Sequence, residues 1–113
     1  MRVLYIDVKS DMQTCAMAVA QLENEIDACK LGEFKVLKVI HGYGSHGVGG
    51  AIKKEIHSRL KVLKRQGVIQ DFIPCETWTP NNAKRKMAVE VCDELLADGD
   101  LYMLNSGVTI VLI

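Results

Sequence analysis

The chain has 113 residues, 49% hydrophobic and 25% charged, the make-up of one folded domain (1–113) able to bury its own core. No segment approaches the roughly 20 apolar residues of a membrane span, and no signal-peptide pattern opens the chain, so a membrane role is not expected. Lys and Arg balance Asp and Glu at 14 each, so composition alone does not announce nucleic acid.

Val3 to Val8 reads as a first strand with Asp7 near its end. Ser10-Asp11-Met12-Gln13 has the S-x-x-Q form of a capping box and predicts the start of a first helix. Met12, Cys15, Val19, Leu22, Ile26 and Cys29 follow at helical spacing, and Lys30 with Gly32 predicts the helix end. Cys15 and Cys29 would stand about 21 Å apart on that helix, too far to bridge. With Cys75 and Cys92 showing no C-x-x-C spacing, free buried thiols in a reducing cytoplasm are the expectation.

Val36 to Ile40 is apolar and β-branched, interrupted only by Lys38, and predicts a buried second strand. It stops at His41, and a glycine-rich loop follows: Gly42-Tyr43-Gly44-Ser45-His46-Gly47-Val48-Gly49-Gly50. A second helix is predicted from about Gly50 to Gln66, with Ile52, Ile56, Leu60 and Leu63 inward and Gly67 closing it. Its outward positions hold Lys53, Lys54, Arg59, Lys61, Lys64 and Arg65 against one acid, Glu55. Val68 to Pro74 predicts a third strand, with the proline at its end or on a sheet edge. Asn81 or Asn82 can cap a third helix from Ala83 to about Ala97, whose first turn is Lys84-Arg85-Lys86. Cations there oppose the helix dipole, a weak hint of an anionic partner. Residues 98–107 read as irregular, and Val108 to Ile113 as a final strand whose unbroken apolar run suits a central position. Three β-then-α units and a last strand predict a small α/β domain with at least one parallel pair.

Strand, glycine loop and basic helix form an arrangement in which backbone N–H groups and a helix N-terminus can face an anion. Gly42 to Gly47 formally satisfies G-x-G-x-x-G, but it follows the second strand and lacks the acidic residue that a dinucleotide site requires downstream. A P-loop fails as well, because no G-K-[ST] follows. His41 beside the loop can be a structural hydrogen-bonding residue or a functional one. His46 lies within the loop, and His57 reads as a solvated or packing residue of the second helix. Parallel neighbouring strands would place Asp7 and His41 at one sheet edge, where a pair can do acid–base work or simply hydrogen-bond. Tyr43 could stack on a base or shield the loop.

The stretch VIHGYGSHGVGGAIKKEI resembles the second signature of the small MutS-related (Smr) domain family, H-G-x-G on an apolar strand with a glycine turn into a helix. Ile6-Asp7-Val8-Lys9-Ser10 resembles its first signature, L-D-L-[HR]-G, and Gly107 to Leu112 its G-x-T-x-V-x-L final strand. The resemblance implies a two-layer α/β sandwich with a four-stranded mixed sheet, similar to the C-terminal domain of translation initiation factor three. It implies DNA or RNA as partner and, in several members, nicking endonuclease activity, which leaves enzymatic function uncertain for this chain. Asp7 and His41 then take the catalytic positions. Lys9, Gly42, Tyr43, Gly44, Ser45, His46, Gly47, Gly49, Gly50, Lys53, Lys54 and Arg59 would contact nucleic acid or phosphate. No metal-ligand set is assigned, although a divalent metal held through Asp7 is compatible with hydrolysis. Lys9 stands where His or Arg is usual and Ser10 replaces the glycine, so binding without fast cutting is expected. Two alternatives stand beside the endonuclease: a non-catalytic DNA- or RNA-binding module, and a protein for a small phosphate ligand.

Overall fold

A computed structural model describes residues 3–8, 14–42 and 48–113. Its sheet has four strands: β1 (Val3–Asp7), β2 (Val36–Ile40), β3 (Asp71–Pro74) and β4 (Val108–Leu112). The order is β1-β2-β4-β3, with β1 and β2 parallel and β4 antiparallel to both β2 and β3. The sheet is therefore mixed, and β4 is interior, as its unbroken apolar run predicts.

Helices α1 (Cys15–Leu31) and α2 (Val48–Arg65) cover one face. Strand alternation sends Ile6, Leu37, Val39 and Val111 to this side, where Leu22, Ile26, Ile52, Ile56 and Leu60 complete one core. The opposite face carries Val3, Val36, Ile73, Ile110 and Leu112. It is covered by α3 (Ala83–Val91), a 3-10 turn over Asp93–Ala97 and the single-turn α4 (Gly99–Tyr102), which supply Ala88, Leu95 and Leu101. Short segments thus close the second face of the sheet over a smaller core.

Several boundaries differ from expectation. The proposed capping box lies in residues 10–13, outside the described residues, as does Met12. The helix itself begins at Cys15, where Thr14 accepts a hydrogen bond from the Met17 amide. Gly32 ends α1 without a left-handed backbone: its φ is −89°, and Glu33 takes φ 61° instead. A side chain at Gly32 would stand 3.0 Å from the Phe34 ring, which is why glycine fits there. Gly67 does take φ 74° to close α2. The chain after it stays tied to the helix through Val68 N to Leu63 O, so β3 starts only at Asp71. α3 stops at Val91 because Cys92 is extended, and residues 98–107 contain the α4 turn instead of being wholly irregular. None of the four cysteines is bridged in a disulfide; Cys29, Cys75 and Cys92 are buried and Cys15 is partly so. No helix among the described residues is long and apolar enough to cross a membrane.

Lys38 shows how the second core is secured. It points to the α3 side from the middle of β2, 5% exposed, with its ammonium 2.8 Å from Asp98 and 2.7 Å from Asp100. It also lies over the Tyr5 ring of β1. Burial alone would lower its pKa, but the hydrogen bonds to Asp100 and Asp98 outweigh that and raise it. One buried cation therefore fastens the 98–100 turn onto the sheet.

Candidate nucleic-acid interface

β2 ends where the glycine loop begins, and His41 is the first residue past it. Its side chain is completely buried. Nδ1 lies 2.7 Å from the Gly42 carbonyl oxygen, and Nε2 lies 2.8 Å from the Thr109 hydroxyl. A carbonyl can only accept, so Nδ1 carries the proton and Nε2 accepts from Thr109. The Thr109 oxygen also lies 2.7 Å from His57 Nε2 on α2. The hydroxyl has one proton and gives it to His41, so His57 must be the donor in that contact. The chain of bonds runs in one direction: His57 to Thr109 to His41 to the Gly42 carbonyl. The two rings meet edge to face at 5.4 Å, and His57 also packs on Phe72.

The surroundings keep both rings neutral. Burial lowers the His41 pKa; the Gly42 carbonyl opposes this, Lys53 adds to it, and Glu76 opposes it. His57 is pushed down to about 4, by burial first, then by His41, Lys53 and Lys61, with Glu76 opposing. An unfolded histidine titrates near 6.5, so as pH falls the unfolded chain takes up these protons first. Stability should therefore decline from about pH 6.5 to about pH 4 and level off below that for His57. Melting temperatures across this range will show it, and His57→Asn should flatten the slope. An unchanged slope would mean that His57 is solvated in the folded protein.

The entry to the glycine loop is anchored at His41 and Gly42. The amides of His41 and Gly42 both donate to the Gly107 carbonyl, at 2.9 and 3.0 Å. Gly42 holds φ 74°, a conformation that favours glycine. Its N–H is thus engaged within the fold by the Gly107 carbonyl. Tyr43, Gly44, Ser45, His46 and Gly47 lie outside the described residues, as does Lys9. Gly49 and Gly50 fall in the first turn of α2, whose leading N–H groups have no partner within the helix.

Asp7 and His41 end up at one end of the sheet but not side by side. Asp7 pairs in parallel register with Ile40, so the two share a face, and Ile40 packs against the second core. His41 points to the other face, toward Thr109 and His57 on the α2 side. Asp7 is exposed.

The basic residues divide into two groups. Lys53 is bound inside the fold, 2.5 Å from Glu76 and 2.8 Å from the Ser106 carbonyl. Arg59 pairs with Glu23 of α1, and Lys64 and Lys84 both pair with Asp71. Lys53 and Arg59, expected as phosphate contacts, are thus engaged by acids of the protein itself. Lys54, Lys61 and Arg65 are exposed and have no acid partner among the described residues. Their spacing of i, i+7 and i+11 places them along one stripe of α2.

Sequence reasoning did not assign Thr109 or Glu76 a role at the site, and it gave His57 no bonding role. Thr109 did carry a signal: it is the one hydroxyl in the apolar run Val108 to Ile113. Among the described residues, no group of three or more His, Cys, Asp or Glu side chains is placed to hold a metal ion.

A family model for the Smr domain matches residues 11–74, more than half of the chain. The chain belongs to the Smr family. Among solved structures, this Smr domain is similar to the crystal structure of the Smr domain of Thermus thermophilus MutS2. The TM-score is 0.60 at 19% sequence identity, over 96% of this chain and 95% of that one. At that identity the likeness establishes the Smr fold alone. No curated protein sequence matches the chain. The stretch matched by the family model contains His41, the glycine loop and all of α2, whereas Asp7 and Thr109 lie outside it.

Proposed function

We propose that this Smr domain binds the sugar–phosphate backbone of DNA or RNA along the exposed cations of α2, with the glycine loop at the head of that track. The observation that carries the reading is the stripe of Lys54, Lys61 and Arg65, left without acid partners among the described residues in a chain of zero net charge. Family membership supports nucleic acid as the anion. Each phosphate neutralised adds about 0.9 to the salt dependence on duplex DNA. Replacing all three cations by Gln should therefore flatten the log–log salt slope by about 2 to 3. Binding measured by anisotropy at several salt concentrations tests this, and a wild-type slope in the triple variant would remove the stripe from the interface.

Nicking is the second reading, favoured by Asp7 and His41 closing adjacent parallel strands beside the loop. The burial of His41 and the engagement of both its nitrogens support binding over rapid cleavage, since a general base must reach the proton it removes. The same protein should leave supercoiled plasmid and structured RNA largely intact, with or without EDTA. Any nicking that persists in both Asp7→Asn and His41→Asn would take the chemistry away from these two residues.

A further inference from the structure

Leu96, Tyr102, Met103 and Leu104 stand on the α3–α4 side with 63, 84, 74 and 40% of their surface exposed. Leu96, Tyr102 and Leu104 edge a groove of about 250 Å³ whose walls include Trp78, Arg85, Leu95 and Leu101. A second concavity of about 290 Å³ adjoins it, sharing Pro80, Arg85 and Leu96 and adding Lys86 and Val89. Together they form an apolar trough with an exposed aromatic ring near one end and two cations along it.

We infer that this trough is a subsite for an unpaired nucleotide, with the base stacked on Tyr102 and its phosphates met by Arg85 and Lys86. This rests on the nucleic-acid reading above and extends it to single strands. Charge is the deciding argument. Arg85 and Lys86 have no acid partner among the described residues, and they occupy the first turn of α3, where the helix end disfavours cations. The acid in the groove lining, Asp98, is already neutralised by Lys38. An apolar trough with a net positive rim suits a base and its phosphate. Only an unpaired base can present its face to such a platform, because duplex bases are stacked on one another.

The test compares a labelled oligothymidylate with a duplex of the same length, read by anisotropy. Tyr102→Ala should weaken single-strand binding roughly fivefold to a hundredfold, the range for one lost base stack, and leave duplex binding unchanged. Tyr102→Phe should bind like wild type, and Arg85→Gln should lower the single-strand salt slope by about 0.7. Emission of the sole tryptophan, Trp78 in the groove wall, should change with the single strand and not with the duplex. Equal single-strand affinity in Tyr102→Ala overturns the subsite. If that variant instead abolishes a concentration-dependent dimer seen by sedimentation, the trough belongs to a second copy of the chain. Duplex binding that still responds to the α2 charges would then leave the broader reading standing, whereas a wild-type protein that binds neither oligonucleotide would end both.

Discussion

Lys38→Met should cost about 3 to 5 kcal/mol of folding stability, the range for removing one partner of a buried ion pair. The loss comes from the carboxylate left behind more than from the bond removed. Asp98 has a side chain only 8% exposed, and without Lys38 its charge has no cation beside it; Asp100, at 39%, can turn to water. Asp98 must stay where it is, because its Oδ1 accepts from the amides of Asp100 and Leu101 and so caps α4. Adding Asp98→Asn should therefore recover most of the loss, since an amide oxygen can keep the cap without the charge. Acid should narrow the gap as well. Asp100 is held below its usual pKa by Lys38 first and Asn105 second, so its contribution is present above about pH 3.8 and lost as pH falls further. Urea denaturation of the three proteins at neutral pH and near pH 3 measures all of this. A cost under about 1 kcal/mol at neutral pH would mean the pair is screened as surface pairs are.

Thr109→Val, nearly the same shape, should cost about 2 to 4 kcal/mol, because two imidazole nitrogens lose their partner at once. His41 Nε2 would be a buried acceptor with no donor, and the His57 Nε2 proton would have no acceptor. Thr109→Ser keeps the hydroxyl and should recover most of the stability. Imidazole nitrogen shifts give the independent reading: the wild type should show His41 protonated on Nδ1 and His57 on Nε2. A valine variant as stable as wild type, with unchanged tautomers, would rule out the hydroxyl as the bridge.

Both predictions concern residues whose polarity stands out against an apolar strand: Lys38 in β2 and Thr109 in β4. The sequence displays the anomaly but not its resolution, since Asp98 lies 60 residues from Lys38 and Thr109 lies 68 from His41. The same distance in sequence explains the cations. Lys53 and Arg59 read as free on a helical wheel because their acids, Glu76 and Glu23, stand 23 and 36 positions away. Periodic features were legible. Ile52, Ile56, Leu60 and Leu63 fall inward as spacing predicts, and the run in β4 marks an interior strand. The apolar rhythm that predicts a third helix to about Ala97 continues through the break at Cys92, where α3 ends. Leu95 is buried whether its segment is an α-helix or a 3-10 turn, so its position could not reveal the change. His41 was legible as the end of a strand, while its complete burial depends on partners from α2 and β4.

The placement of β4 between β2 and β3 governs how the protein can assemble as it is made. Residues 108–112 leave the ribosome after the other three strands, yet they are the joint between β2 and β3. Until they emerge, β1 and β2 can pair beneath α1 and α2, but β3 has no neighbour within the sheet. The partners of His41 and of the Gly42 amide are missing too, because Gly107 directly precedes that strand and Thr109 lies in it. A nascent chain stalled just short of them would expose an open apolar strand edge, the state most prone to aggregate or to engage a chaperone. Pairing over so long a separation also raises contact order, so closure of the sheet should be the slow step of folding.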